Sequence, residues 1–127
     1  MNHPTEPKTP FSVFTQEPRR QNGESMSDMA RKLEIAPRFL SNVEHGHKDV
    51  PKTWYARFLA SYELTVPQMK ELKESIEESK MRYTFATEGT SIAKRKAVAR
   101  FADAFATMDD EVAEKIAALL DEAAGRR

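Results

Sequence analysis

Arg38 and Asn42 stand four residues apart in the segment PRFLSN and carry the two side chains best matched to the edges of nucleic-acid bases. A guanidinium offers two donors to guanine O6 and N7. A carboxamide offers a donor and an acceptor to adenine N6 and N7. Each such pair discriminates by about 1–3 kcal/mol. Other chemistry is thinner. Ser41 precedes His45 by four residues, a spacing that puts a hydroxyl beside an imidazole on one helix face. No third group or oxyanion device accompanies them, so catalysis is not expected. Glu44-His45-Gly46-His47-Lys48-Asp49 collects two histidines and two acids on a turn, too few ligands without a fixed geometry to expect a metal. No cofactor is expected either. Cysteine is absent, which removes disulfides, thiolate metal sites and thiol nucleophiles. Lys94-Arg95-Lys96 is read as a solvated face, with contact to DNA as the sharper alternative.

The elements that must position Arg38 and Asn42 follow from apolar spacing. Between Met26 and His45, Met29, Leu33, Ile35, Leu40 and Val43 are apolar and Ala30 is small. Two short helices crossing steeply need this arrangement: the apolar residues fill the angle between them, and the small one lets the second helix come close. Leu40 and Val43 then face the core, and Arg38, Ser41 and Asn42 face outward, with Pro37 and Phe39 at the margin. Helices are expected over 11–21, 26–33, 37–44, 51–61 and 66–80, with Pro37, Pro51 and Pro67 at helix starts, where the missing N–H costs nothing. Trp54, Tyr55, Phe58, Leu59 and Tyr62 have the helical spacing of a core stripe. Residues 1–10, with three prolines, are expected to be a disordered arm.

Beyond residue 80 the pattern changes. Met81, Tyr83 and Phe85 alternate with Arg82, Thr84 and Ala86, a period of two that predicts a short strand. From Ile92 the helical period returns. Val98, Phe101 and Phe105 form one stripe, and Val112, Ile116, Leu119 and Leu120 form a second. Asp109 is placed to cap the second helix and Gly125 to end it, giving a helical hairpin. Residues 82–101 hold five basic side chains and one acid, whereas residues 102–127 hold three basic and seven acidic ones. Opposite signs favour packing these helices on each other or on a second copy. A lone strand leaves its backbone groups unpaired. Residues 81–127 are therefore expected to be a dimerisation region, with Met81, Tyr83, Phe85, Val98, Phe101, Phe105, Val112, Ile116, Leu119 and Leu120 at the homodimer interface and docking of a second protein as the runner-up.

Over about Phe11 to Glu78, roughly half the chain, the sequence resembles the helix-turn-helix of the lambda-repressor/Cro-like (XRE) family of regulators. The resemblance lies in the bihelical pattern, in Ser41-Asn42-Val43-Glu44 followed by His45-Gly46, in Pro51 opening the next helix, and in Arg19, which in such proteins typically pairs with the acid matching Glu44. Two positions depart from the family pattern. Glu34 occupies the turn position usually held by glycine. Pro18 replaces an apolar residue inside the first helix, where a kink or break near Gln16–Pro18 is expected. The resemblance implies an all-α, five-helix DNA-binding domain over residues 11–80, followed by the strand and hairpin. It implies that the helix near 37–44 lies in the major groove. Pro37, Arg38, Ser41 and Asn42 would then contact bases, Pro37 through a thymine methyl. Ser25 and Ser27 match the family's phosphate-holding position, and His45, His47, Lys48, Lys52 and Thr53 flank the groove as further backbone contacts.

Composition narrows the partners. The 127 residues hold 20 basic and 20 acidic side chains, so a polybasic protein that adheres to any polyanion is excluded. Nucleic acid is allowed through local patches and shape. The longest apolar run, Ile116 to Leu120, is far short of the ~20 residues a membrane helix needs. The opening MNHPTEPKTP has no apolar h-region. A cytoplasmic, homodimeric regulator of transcription is expected, a repressor of prophage or antitoxin type on a palindromic operator in double-stranded DNA. The rival is a protein-interaction module on the same scaffold without DNA binding.

Overall fold

The computed structural model describes residues 9–125, and within them every regular element is an α-helix. The order is α1 (Pro10–Asn22), α2 (Met26–Leu33), α3 (Pro37–Glu44), α4 (Trp54–Ser61), α5 (Val66–Glu77), α6 (Ile92–Phe105) and α7 (Asp110–Ala123). The chain divides into two units, residues 1–83 and 84–127. The arm expected over residues 1–10 lies outside the described residues except for Thr9 and Pro10, which begin α1 as its N-cap and first residue.

The first unit is a helix bundle in which α1 packs on α5, α2 on α3 and α4, and α4 on α5. Phe11, Phe58, Met29, Leu33, Leu40 and Leu72 are its largest fully buried side chains, each worth about 1.5–3 kcal/mol of transfer free energy. Phe58 is the hub. It meets the edges of Phe11 and Phe14 at centroid distances of 5.8 and 5.9 Å and stacks on Tyr62 at 5.8 Å. Trp54 and Phe58 of α4 and Tyr62 at its C-cap follow one another at four-residue steps and are buried, while Leu59 falls to one side and is exposed.

Helix α1 runs continuously through Pro18, so the expected break does not occur. The proline lies on the same face as Phe11, Phe14 and Thr15, all buried. Burial of that face offsets the roughly 3 kcal/mol an interior proline costs. The N-terminal N–H of Phe11, which no helix carbonyl can serve, donates to Ser79 Oγ at 2.9 Å, and that hydroxyl donates onward to the Ser75 carbonyl at 2.6 Å. Helix α4 begins at Trp54, three residues after Pro51, so this proline does not open the helix as its spacing suggested.

The strand expected over Met81–Ala86 does not form, and no strand occurs among the described residues. Extended backbone becomes a strand only when a neighbour completes its hydrogen-bond ladder. Here the backbone N–H of Met81 goes to a side chain, donating to Asp49 Oδ1 at 2.7 Å, while the Tyr83 side chain is tied back by its hydroxyl donating to the Glu77 carbonyl at 2.8 Å. The alternation of Met81, Tyr83 and Phe85 is that of a connecting segment. It also straddles the unit boundary, leaving Met81 and Tyr83 in the first unit and Phe85 in the second.

The second unit holds α6 and α7. Both are finished at their N-termini: Ser91 Oγ accepts from the Lys94 N–H at 3.1 Å, and Asp109 Oδ1 from the Val112 N–H at 2.9 Å. Neither helix contains a buried residue. The two stripes expected to close on each other as a hairpin are thus largely open, with only Val98 and Ile116 of the expected interface residues half-buried. Among the described residues no helix is long and apolar enough to cross a membrane.

Candidate nucleic-acid interface

Helix α3 follows a braced turn and is held at its end. At its start, α2 terminates on Glu34, whose φ of 62° and ψ of 44° lie in the left-handed region. That conformation costs a non-glycine residue roughly 1 kcal/mol. It is held by the Ile35 N–H donating to the Ala30 carbonyl at 2.9 Å, and by Arg57 of α4, whose Nη1 donates to the carbonyls of Leu33 at 3.1 Å and Glu34 at 3.0 Å. One guanidinium thus serves two end-of-helix carbonyls left without amide partners. Pro37 is the first residue of α3, and its fixed φ suits that position.

At its end, α3 is held by α1. Glu44 is buried, and a carboxylate at a helix C-terminus opposes the helix dipole. Arg19 compensates with two parallel bonds, Nη1 to Oε2 at 2.8 Å and Nη2 to Oε1 at 3.2 Å, and the Thr15 hydroxyl donates to Oε2 at 2.9 Å. The Thr9 hydroxyl donates to the Glu44 carbonyl at 3.2 Å. Gly46 then turns the chain with φ 84°, and a Cβ there would stand 3.2 Å from Thr9 Cγ2. Glycine avoids strain at that position, both from its φ and from the close approach of Thr9.

Leu40 and Val43 are fully buried, and this sets the outward face. Pro37 and Arg38 are exposed, and Ser41 and Asn42 are half-buried. Arg38 makes no ion pair among the described residues. Phe39, read at the margin from sequence, is half-buried and meets Trp54 edge-on at 5.3 Å and 74°, so its ring belongs to the packing between α3 and α4. His45 Nδ1 lies 2.8 Å from the Ser41 carbonyl oxygen and 3.4 Å from Ser41 Oγ. Its ring stacks on His47 at 6.2 Å. Lys48, Lys52 and Thr53 are exposed on the segment between α3 and α4, and Thr53 makes no side-chain cap to α4. Among the described residues no three His, Cys, Asp or Glu side chains gather into a metal-binding group.

Ser25 and Ser27 lie at the start of α2 and are exposed. Ser25 is engaged there: its Oγ accepts from the Asp28 N–H at 3.1 Å, and its own N–H donates to Asp28 Oδ2 at 2.9 Å. The bonds from the Ser25 backbone and hydroxyl hold the Asp28 carboxyl below its ordinary range. The N-terminus of α2 therefore already carries an anion belonging to the protein, and Ser27 is the freer of the two serines.

Two groups that matter to this surface carried no sequence signal. Arg57 sits on the exposed side of α4, and nothing in its spacing links it to a turn 23 residues earlier. The second is a cluster around Glu24. Lys32 Nζ donates to its Oε2 at 2.8 Å while lying 4.1 Å above the Tyr62 ring, and the Tyr62 hydroxyl donates to its Oε1 at 2.6 Å. Burial works to raise the Glu24 carboxyl, but these two hydrogen bonds outweigh it and hold the group below its ordinary value. Burial, with the bond to Glu24, pushes the Tyr62 hydroxyl well above its own. Compared with models of protein families, with curated proteins and with solved structures, the chain matches none of them.

Proposed function

We propose that this chain is a sequence-specific DNA-binding regulator of transcription, a helix-turn-helix protein of the lambda-repressor/Cro-like type, with α3 as the element that enters the major groove. The observation that carries the reading is the way α3 is held. Arg57 fixes the Glu34 turn that leads from α2 into it, and Arg19 and Thr9 brace its end. Its outward face bears Arg38 and Asn42. A helix that reads base edges must keep its position when phosphates pull on it. Preorganisation of this kind lets a few side chains specify sequence. Arg38 suits guanine and Asn42 adenine, with Ser41 and Pro37 beside them. Lys48, Lys52, Thr53, His45, His47 and Ser27 are the candidates for phosphate contacts. Bound over a promoter as a homodimer on a palindromic site, the protein represses by excluding polymerase.

The test is selection of bound duplexes from a random pool with the full chain, followed by titration of the selected site at several salt concentrations. Log affinity should fall linearly with log salt, with a slope near −0.9 per phosphate contacted. An empty selection, or binding without salt dependence, would overturn the reading in favour of a protein-interaction module.

A further inference from the structure

Helices α6 and α7 are complete at their ends and incomplete on their faces. Each is 14 residues long and contains no buried residue. Phe105, Leu119 and Leu120 are 65%, 65% and 62% exposed, and Phe101 and Val112 are also open to solvent. Helices of this length are marginal alone in water, and apolar stripes of this size on a soluble surface mark a contact.

We infer that the contact is a second copy of this chain, with α6 of one copy packed on α7 of the other. Charge selects this occupant. Helix α6 carries Lys94, Arg95, Lys96 and Arg100 against Asp103, a net charge of +3. Helix α7 carries Asp110, Glu111, Glu114, Asp121 and Glu122 against Lys115, a net charge of −4. Setting α6 on α6, or α7 on α7, brings like charges together. Setting α6 on the partner's α7 brings opposite charges together, and two-fold symmetry makes the same contact twice. A partner of this kind must present one basic and one acidic amphipathic helix, and a second copy presents both. The result is a four-helix arrangement around the two apolar stripes. This deepens the dimeric part of the reading above by naming the helices that meet, and it stands or falls without DNA.

The test is sedimentation equilibrium of the full chain without nucleic acid. A dimer of the 14.5 kDa chain is expected at tens of micromolar. Reversing α6 with Arg95→Glu, Lys96→Glu and Arg100→Glu should weaken the dimer at least tenfold. Reversing α7 with Glu114→Lys, Asp121→Lys and Glu122→Lys should do the same. Combining the two singly reversed chains in one sample should restore the original affinity in a mixed dimer, because α6 of each chain then meets an α7 of opposite sign on the other while the two helices within each chain carry like charge, which unfolding of either variant could not produce. A monomeric wild-type chain would overturn the inference and leave the face to another protein. Reversals that leave the dimer unchanged, or a combination that fails to restore it, would overturn the pairing of α6 with α7. Duplex binding measured separately on the same proteins shows whether the DNA reading fails or survives alongside it.

Discussion

Arg19 of α1 grips Glu44 at the end of α3 through two parallel bonds of 2.8 and 3.2 Å, with the two side chains only 15% and 10% exposed. An ion pair so nearly buried is little screened by salt, and its worth lies in what breaking it leaves behind. Arg19→Met should destabilise the fold by about 3 kcal/mol, because the Glu44 carboxylate stays buried with the Thr15 hydroxyl as its remaining side-chain donor. Adding Glu44→Leu should recover most of that loss. Urea denaturation of the single and double variants measures both steps, and equal losses in the two would show the pair to be stabilising in itself.

Arg38 and Lys52 should separate base reading from phosphate holding. Arg38→Ala should cost about 1–3 kcal/mol on the selected duplex and relax the preference at one base pair. Lys52→Ala should weaken selected and random duplexes alike and lower the salt slope by about one contact. Fluorescence anisotropy on both duplexes reads the difference, and equal losses from both variants on both duplexes would refute the groove assignment.

Phe39 lies on the same helix as Arg38 but packs on Trp54. Phe39→Ala should cost about 1–2 kcal/mol of stability, below the 3–5 kcal/mol of a fully buried phenylalanine because the ring is half-buried. The thermal midpoint should drop, while base preference, measured well below that midpoint, should stay the same.

Glu24 gives the fold an acid dependence. Its folded carboxyl lies below the ordinary value of 4.5 because Lys32 and Tyr62 bond to its charged form, so the unfolded chain binds the proton more readily. The stabilisation is fully present above about pH 4.5 and is lost as pH falls through the folded value. Glu24→Gln should flatten this part of the stability–pH profile. Tyr62 acts at the other end. Its raised hydroxyl stabilises the fold below its ordinary value of 10.0, and that contribution is lost as pH rises beyond it. Urea midpoints measured across the acid and alkaline ranges test both.

Much of this molecule is set by local sequence. The starts of α2 and α3 follow from Ser25 and Pro37, which need nothing beyond their own turn to act. The buried positions of Met29, Leu33, Leu40 and Val43, and hence the outward face bearing Arg38, follow from helical period alone. Three features depended on residues far away in the chain. Pro18 should break a helix by its own chemistry, and the packing of α1 on the distant α5, with Phe11, Phe14 and Thr15 buried on the same face as the proline, overrides it. Met81, Tyr83 and Phe85 have the period of a strand, but a ladder needs a neighbour, and Asp49, 32 residues earlier, takes the backbone N–H of Met81. Arg57 reaches a turn more than twenty residues earlier, which no spacing rule encodes. Periodicity and capping act within a few residues and are written in the chain; the partner that completes a strand, shelters a proline or closes a helix end is chosen only when distant segments pack.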